Sequence, residues 1–191
     1  GCSAFETCLD RGARQARLRL FIVTGITDVS VSATFELATE TDALAIARMS
    51  RDLIETGLGW SWTAARVLRS IGDPEVLVLV AREGRRLIGF AIMDFGEEAA
   101  HLALLAVDTT HRRLGIGRRL FDWLKESALT AGIAVVKLEL RAGNVEAQHF
   151  YRCLGFEETG WSVGYYRRRE TALRMALRLR EPTAGSPHSA R

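Results

Sequence analysis

The sequence has few cysteines and no long apolar run, and each shortage excludes a class of protein. Three of the 191 residues are cysteine, and the spacing of Cys2, Cys8 and Cys153 against the four histidines fits no metal site. We therefore expect no disulfide scaffold, no metal and a reducing, cytoplasmic environment, with Cys153 buried in a helix. No apolar run approaches the roughly 18 residues of a membrane-spanning helix, so no membrane partner is expected.

The charge balance is mildly basic and does not indicate nucleic-acid binding. The chain has 26 Lys and Arg against 23 Asp and Glu, a net charge of +3 and a pI of about 9.0. Arginines around a glycine-rich loop and the run 167–169 supply much of this excess. A nucleic-acid partner would need a denser basic face with interleaved aromatic residues. With 48% hydrophobic and 26% charged residues, the composition is that of a soluble globular protein.

One compact domain is predicted for residues 34–180. Its length suffices for a hydrophobic core, and it contains no internal repeat and no second domain. Residues 1–33 form an extension to which the sequence assigns no chemistry. Residues 181–191 contain two prolines, one glycine and two serines, and we expect them to form a flexible tail.

Hydrophobic periodicity predicts strands and helices in the order βααβββαβαββ. Short alternating or continuous apolar runs predict the strands, and apolar positions three and four residues apart predict the helices. Ser61 is the predicted cap of the second helix, and a connection over residues 160–169 is expected before the last strand. The predicted strands cover residues 35–38, 75–81, 86–95, 99–107, 134–140, a short run after 156, and 171–179; the predicted helices cover 43–56, 62–71, the stretch from the loop to 132, and the stretch between 144 and 155.

A glycine-rich loop lies between a predicted strand and a predicted helix. Its pattern is Arg112-x-x-Gly115-x-Gly117, with further arginines at positions 113, 118 and 119. Backbone N–H groups at a helix N-terminus are unpaired and carry partial positive charge, which suits phosphate oxygens. Glycine removes the Cβ atoms that would hold a phosphate away from the backbone. The loop therefore predicts an anion site; an ordinary helix start with solvated arginines is the alternative.

Several common sites do not fit these residues. A P-loop needs Lys and then Ser or Thr after its glycines, whereas the sequence has Arg118 and Arg119. The dinucleotide fingerprint needs a third glycine at the position of Leu120. No Ser-His-Asp arrangement has supporting context, and His111 and His149 are expected at the surface, so nucleophilic catalysis is not predicted.

A short predicted helix further along carries a candidate reactive phenol. Asn144 is a good N-cap for this helix, and Gly155 is a good C-terminal stop. Between them Tyr151 shares one face with the apolar residues of the helix. Tyr151 is either a core aromatic with a locally satisfied hydroxyl or a reactive group. Its position after an anion loop, within one domain, favours the reactive role.

Together these segments resemble the GNAT superfamily of acyl-CoA N-acetyltransferases. The segment 112–117 matches the pyrophosphate loop of that family, and Phe150-Tyr151-x-x-x-Gly155-Phe156, within 144–156, matches its second cofactor motif. The resemblance covers roughly residues 34–180. It implies an α/β fold with a mixed, mostly antiparallel central sheet, a splayed strand pair and about four helices. Many members have glycine at the position of Arg113, whose side chain is expected to point outward without harm to binding.

The resemblance implies direct transfer of an acetyl group from acetyl-CoA, the co-substrate, to a primary amine without a metal. Backbone groups of Leu105 and Val107 would pair with the pantetheine arm, Asn144 would bond it, and Tyr151 would protonate the departing thiolate. The cofactor-binding residues implied in this way are Leu105, Ala106, Val107, Arg112, Arg113, Leu114, Gly115, Ile116, Gly117, Arg118, Asn144 and Tyr151.

The general base stays open at this point. Ribosomal-protein acetyltransferases often carry a glutamate on the strand before the loop, where this sequence has alanines between Glu98 and His101. Strict alternation puts His101 on the face of Leu105 and Val107, with Glu98 opposite, unless a bulge reverses the parity. Either residue would act directly or through a water, and His101 has the better intrinsic pKa for neutral pH. The third alternative is that no dedicated base exists.

The acceptor pocket is expected between the segments 54–62 and 160–166. The aromatic residues of these segments either line it or are ordinary packing residues. The tail of the domain resembles bacterial ribosomal-protein N-terminal acetyltransferases, which favours a protein or peptide α-amine as acceptor. The alternatives are a small-molecule amine, such as a polyamine, amino acid or aminoglycoside, and a non-catalytic acyl-CoA-binding module, against which Tyr151 argues. The chain is expected to be a monomer or a homodimer.

Overall fold

The computed structural model describes residues 32–166 and 170–180. Within these ranges the chain forms seven strands and four α-helices in the predicted order, which is thereby confirmed. Two 3₁₀ helices, Glu40–Asp42 and Thr109–His111, precede the first and third α-helices. In chain order the elements are β1 (Ala33–Leu37), α1 (Ala43–Leu53), α2 (Ala64–Gly72), β2 (Val76–Glu83), β3 (Arg86–Phe95), β4 (Ala99–Val107), α3 (Ile116–Thr130), β5 (Val135–Arg141), α4 (Val145–Cys153), β6 (Glu157–Tyr166) and β7 (Glu170–Arg178). Almost all of the predicted extension and the whole predicted tail lie outside the described residues.

All seven strands form one sheet in the order β1-β2-β3-β4-β5-β7-β6. The pairs are antiparallel except that β4 and β5 run parallel. These two strands pair only where residues 99–101 meet residues 135–137, and a gap separates them beyond that point. The predicted mostly antiparallel sheet with a splayed strand pair is therefore confirmed.

A bulge in β4 lies where this gap opens. Ile92 of β3 pairs with Leu104, whereas its neighbour Met93 pairs with Leu102, so Ala103 is the extra residue. Leu102 before the bulge and Leu105 after it consequently pack into the same hydrophobic cluster, although they are three residues apart. The bulge thus reverses the side-chain parity of the strand halfway along its length.

Hydrophobic clusters cover both faces of the sheet. On one face α3 buries Leu120, Phe121 and Leu124, and on the other face α1 and α2 bury Ile46 and Val67. Burial of one such side chain contributes about 1.5–3 kcal/mol to folding. β2 and β3 contribute to both clusters, which explains their nearly continuous apolar sequences. Among the described residues, no helix is both long enough and apolar enough to cross a bilayer.

The first helix ends earlier than predicted. Its extension to residue 56 is wrong, because α1 stops at Leu53 and Glu55 folds back against the next segment. The buried carboxylate of Glu55 accepts hydrogen bonds from the backbone N–H of Ser61 at 2.7 Å and of Trp62 at 3.1 Å, and from the Ser50 hydroxyl at 3.3 Å. Because a buried carboxylate is stable only when hydrogen-bonded, these contacts fold residues 54–63 into a compact loop.

Two further predictions about the ends of elements are wrong. Ser61 does not cap the second helix, because its hydroxyl and its backbone N–H both bind Glu55. Thr63 is the cap, and its side chain accepts from the backbone N–H of Arg66 at 3.4 Å. The connection predicted over residues 160–169 is also too long, because β6 continues to Tyr166 through its pairing with β7.

Candidate active site

The turn that follows β4 is fixed by Asp108. Its carboxylate accepts from the backbone N–H of Thr110 at 2.9 Å and from the Thr110 hydroxyl at 2.7 Å, and Arg86 donates to it at 2.8 Å. The hydrogen bonds from Thr110, together with the Arg86 guanidinium, lower the pKa of Asp108 to about 2. An ionised cap therefore holds the start of the glycine-rich loop at neutral pH.

His111 follows in this turn and is buried, so its prediction as a surface residue is wrong. Its Nδ1 lies 2.9 Å from the Thr110 hydroxyl, and its Nε2 lies 3.3 Å from a carboxylate oxygen of Glu83. Glu83 ends β2, far from His111 in the sequence. The imidazole thus ties the loop to the β2–β3 hairpin, a long-range contact that no local pattern predicts.

The glycine-rich loop turns into α3 through left-handed backbone. Gly115 is the N-cap of α3 with φ of 79°, and Arg113 adopts φ of 65°, a region that a Cβ disfavours. Gly117 packs against the ring of Phe150, where an added Cβ would lie 3.3 Å from the ring. The N-terminus of α3 therefore presents bare backbone, which fits a phosphate-bearing ligand.

A cleft of about 600 Å³ runs from this loop through the gap between β4 and β5. Leu104 and Leu105, which face opposite sides of the sheet, both line it, so the cleft reaches both faces. Its far end is walled by Leu53, Ile54 and Leu58, from the end of α1 and the following loop. Two substrates that enter from opposite faces can therefore meet in the gap.

Most of the predicted cofactor residues lie together in this cleft. Leu114 is the exception, because its side chain is exposed on the outer side of the loop. Arg112 pairs with Glu146 at 3.1 Å and Arg118 donates to the carbonyl of Cys153 at 3.2 Å, so both ends of α4 are tied to the loop region. The predicted residues that line the cleft are Leu105, Ala106, Val107, Arg112, Arg113, Gly115, Ile116, Gly117, Arg118, Asn144 and Tyr151.

Tyr151 projects from α4 into the same cleft. It is only 8% exposed, and its ring packs edge-on against Phe150 and Phe156 at centroid distances of 5.1 and 5.4 Å. α4 is capped as predicted, with the Asn144 carboxamide oxygen accepting from the backbone N–H of Ala147 at 3.0 Å. The neighbouring rings fix the plane of the Tyr151 ring at the edge of the gap.

Cys153 is exposed, so its prediction as a buried residue is wrong. Its sulfur lies 3.5 Å from Nε2 of His149, one helical turn earlier in α4. Both residues line the cleft at its loop end, and His149 is exposed as expected.

The bulge decides the orientation of His101. Strict alternation is wrong for β4, because Ala103 intervenes between His101 and the residues after it. Alternation with the buried Leu102 places His101 on the sheet face of α1 and α2, opposite to Leu105. Neither His101 nor Glu98 lines the cleft.

His101 stands at the last residue pair before the gap and has two carboxylates as neighbours. Its Nδ1 lies 3.9 Å from Asp94, and its Nε2 lies 2.6 Å from Glu139 of β5. Hydrogen bonding and attraction to Asp94 and Glu139 raise the pKa of His101 above its ordinary value, although burial opposes this. Glu98 is exposed in the turn before β4, at the closed end of the strand pair.

Two charged residues of the site carried no motif and were not identified from the sequence. Glu139 holds His101, and Arg141 lines the cleft. Both alternate with Leu138 and Leu140 along β5. A charged residue in a mostly apolar strand was the one sequence feature that could have indicated a functional role. Of the aromatic residues expected at the acceptor pocket, none whose side chain the structure describes lines the cleft. The side chains of residues 165 and 166 are not among those described.

The arrangement of loop, gap and phenol has a counterpart in a known protein family. The model of the family described as "Acetyltransferase (GNAT) family" matches residues 46–156, more than half of the chain. The chain belongs to the GNAT acetyltransferase family. It is accordingly an acetyl-CoA-dependent N-acetyltransferase, as the resemblance of its two motifs predicted.

Three relatives illustrate the match. The chain is 37% identical over 119 residues to the [ribosomal protein bS18]-alanine N-acetyltransferase of Escherichia coli K12, covering 61% of this chain and 80% of that protein. The crystal structure of the Escherichia coli enzyme superposes with a TM-score of 0.69 at 27% identity, covering 81% of this chain and 98% of that one. The crystal structure of Ard1 from Thermoplasma volcanium superposes with a TM-score of 0.70 at 26% identity, and the match covers 79% of this chain and 100% of that one. The PaiA N-acetyltransferase of Thermoplasma acidophilum, solved in complex with coenzyme A, shares the fold. Its TM-score is 0.66 at 19% identity, and the match covers 78% of this chain and 99% of that one.

Proposed function

We propose that this GNAT enzyme acetylates the α-amine at the N-terminus of a protein or peptide. The observation that carries the proposal is the apolar acceptor end of the cleft, formed by Leu53, Ile54 and Leu58. Among the described residues that line the cleft, the one carboxylate is Glu146, which pairs with Arg112 at the loop end. Polyamines and aminoglycosides carry several ammonium groups that need carboxylate partners, whereas a peptide N-terminus carries one.

The name of the Escherichia coli relative supports the same acceptor class. That enzyme is named for acetylating an alanine of a ribosomal protein. The wall of leucine and isoleucine side chains suits a first residue with a small apolar side chain. We therefore expect peptides that begin with such residues to be the best acceptors for this chain.

We propose that the loop and β4 hold acetyl-CoA. Acetyl-CoA supplies an activated thioester. Backbone N–H groups of residues 112–118 bind its pyrophosphate at the N-terminus of α3, where the helix dipole favours negative charge. The backbone of Leu105 and Val107 borders the gap and pairs with the pantetheine amides, as an added strand would. Asn144, at the start of α4, bonds the same arm.

Tyr151 is the proposed general acid. The amine nitrogen forms a bond to the thioester carbonyl carbon, the carbon–sulfur bond then breaks, and the Tyr151 hydroxyl donates its proton to the departing sulfur. A backbone N–H of β4 next to the bulge stabilises the oxygen that gains negative charge. The support for this role is that Tyr151 lines the cleft in a ring orientation fixed by Phe150 and Phe156.

His101 is the proposed general base, acting through a water, because it lies next to the gap without lining the cleft. Glu139 and Asp94 face the imidazole and stabilise the cation that forms when His101 takes the proton from the amine. Glu98 is the weaker candidate, because it is exposed at the closed end of the strand pair. An α-amine has a pKa of about 8, so part of it is already neutral near neutral pH and a weak general base suffices.

An acceptor panel tests the proposed function. Release of free CoA thiol is followed with peptides that begin with small apolar residues, the same peptides with a blocked N-terminus, a polyamine and an aminoglycoside. The proposal predicts the highest kcat/KM for the free peptides and no turnover of the blocked ones. A polyamine or aminoglycoside that exceeds every peptide in kcat/KM would overturn it.

A further inference from the structure

Arg141, the last residue of β5, makes a three-point contact at the acceptor end of the cleft. Its Nε donates to one carboxylate oxygen of Glu170 at 2.6 Å and its Nη2 donates to the other at 2.5 Å. Its Nη1 donates to the backbone carbonyl of Thr56 at 2.9 Å. Glu170 begins β7, and Thr56 follows α1, which packs on β4. One guanidinium therefore joins the two sides of the gap.

The loop that Arg141 contacts is held together by its own hydrogen bonds. Glu55 holds the backbone of Ser61 and Trp62, so residues 54–63 form a closed structure of their own. Gly57, next to the bonded carbonyl, has φ of 80°, and an added Cβ there would lie 4.0 Å from Nη2 of Arg141. Because these hydrogen bonds join the two ends of the loop, the point where Arg141 holds it is expected to influence where its cleft-lining residues lie.

The Arg141 guanidinium faces an ionised carboxylate in this contact. Hydrogen bonding to Arg141 lowers the pKa of Glu170, so its carboxylate stays ionised throughout the neutral range. The two charges offset each other, and the side chains that wall the acceptor end on the loop side are apolar. The effect of Arg141 on a bound acceptor is therefore expected to be geometric rather than electrostatic.

We propose that Arg141 is a positioning residue for the acceptor: it braces the loop 54–63 against β7 and thereby sets the width of the acceptor end of the cleft. Ile54 and Leu58 are the loop side chains whose positions it fixes. The proposal rests on the proposed function, because it takes this end of the cleft as the acceptor site. A planar guanidinium is needed, because a lysine ammonium cannot bond both carboxylate oxygens and a carbonyl in one plane.

Kinetics of two variants at this position test the proposal. Arg141→Gln and Arg141→Lys are compared with the parent, using the amine that the parent turns over best. We expect kcat/KM for the acceptor to fall about 10-fold or more in both variants, mainly through KM, because small misplacements of a reacting group are costly. The Kd of acetyl-CoA, measured by calorimetry, is expected to stay within about 2-fold.

Arg152→Gln is the matched control. Arg152 also pairs with a glutamate, Glu158, at 2.5 Å, but it lies on α4 and does not line the cleft. Its loss removes the same charge and is expected to leave the acceptor KM at the parental value. If Arg141→Lys has the parental acceptor KM, a positive charge alone suffices at this position, and the proposed bracing role of Arg141 is wrong.

A second readout requires no acceptor, so it separates failure of the brace from failure of the proposed function. Methyl NMR is used to follow Ile54 and Leu58, with the buried Ile46 of α1 as reference. In Arg141→Gln and in Glu170→Gln, the loop methyl signals are expected to shift and broaden while the Ile46 signal is unchanged. Unchanged Ile54 and Leu58 signals in both variants would overturn the proposal, as would a parental acceptor KM in Arg141→Gln.

Discussion

A phenol and an imidazole lie on opposite faces of the sheet near the same gap. Tyr151 approaches from α4, and His101 lies on the face covered by α1 and α2. In the proposed reaction each moves a different proton, since the leaving thiolate gains one and the attacking amine loses one. The two roles can therefore be separated by single substitutions.

Tyr151→Phe removes the proton donor and keeps the ring. The packing of the ring against Phe150 and Phe156 should survive, because it involves ring edges and not the hydroxyl. We expect kcat to fall about 10- to 1000-fold, with the Kd of acetyl-CoA nearly unchanged. Steady-state kinetics and calorimetry check this, and a parental kcat would show that Tyr151 is a packing residue or that chemistry does not limit turnover.

The pH dependence of kcat/KM tests His101. Its pKa is raised by Asp94 and Glu139, so the neutral, proton-accepting form is reached only above the ordinary value of about 6.5. We expect the acidic limb of the profile to lie above that pH, to move down in Glu139→Gln, and to be lost in His101→Ala. Glu98→Ala should keep it. If the acidic limb stays at the same pH in all three variants, it reports the ionisation of the amine substrate, and the assignment of His101 as the base is wrong.

The same shift predicts the sign of a stability effect. Because the folded-state pKa of His101 is raised, its protonation contributes stability that is fully present below about pH 6.5 and lost as the pH rises through the folded-state value. The difference in Tm between the parent and His101→Gln should therefore shrink as the pH increases. A difference that grows with pH would contradict the assigned contacts.

Arg113 stores backbone strain in the cofactor loop. Its φ of 65° costs about 1–2 kcal/mol for a residue with a Cβ, whereas glycine loses only about 0.5–1 kcal/mol of extra chain entropy on folding. We expect Arg113→Gly to leave the free energy of unfolding unchanged or to raise it by up to about 1 kcal/mol. Arg112→Gly, at φ of −67°, should lower it. Urea titrations measure the free energy of unfolding of both variants. If Arg113→Gly and Arg112→Gly lower it equally, Arg113 is not strained.

Single residues were predictable from the sequence where a local motif sets their place. The placement in the cleft of Tyr151 and of the loop residues other than Leu114 falls into this class. His111 and Cys153 do not, because the burial of the first depends on Glu83 of a distant strand and the exposure of the second depends on how α4 is rotated. Such outcomes are properties of tertiary contacts, which periodicity does not encode.

At the scale of elements, the loop and the N-terminus of α3 together form the proposed anion site. Gly115 has no neighbouring atom within 4 Å of the position where a Cβ would stand, so a side chain there would extend into open space beside the helix start. Gly115→Glu would place a carboxylate next to the proposed pyrophosphate site and also strain the φ of 79°. We expect calorimetry to detect no binding of acetyl-CoA. Unchanged affinity in a folded variant would refute the assignment.

Element order followed from periodicity and turn residues, whereas two details did not. The strands β3 and β4 begin and end at the predicted residues, because turns bound them on both sides. The early end of α1 depends on the buried carboxylate of Glu55. The bulge at Ala103 lies in an uninterrupted apolar run, where no residue type marks an extra position. For this reason strict alternation places His101 on the wrong face, whereas the alternative of a bulge gives the observed face.

For the whole molecule, the gap between β4 and β5 is the proposed meeting place of the two substrates. The cleft opens toward the glycine-rich loop on one side and toward α1 on the other. In the proposed reaction, acetyl-CoA and the amine occupy the gap together, so that the acetyl group passes directly from sulfur to nitrogen. In that reaction no side chain carries the acetyl group, and the proposed roles fall to backbone groups, Tyr151 and His101.

Initial-rate kinetics with both substrates varied test this central claim most directly. Direct transfer requires a ternary complex, so double-reciprocal plots at several fixed acceptor concentrations should give intersecting lines. Parallel lines, together with an acetylated enzyme after incubation with acetyl-CoA alone, would show a covalent intermediate and would contradict the account.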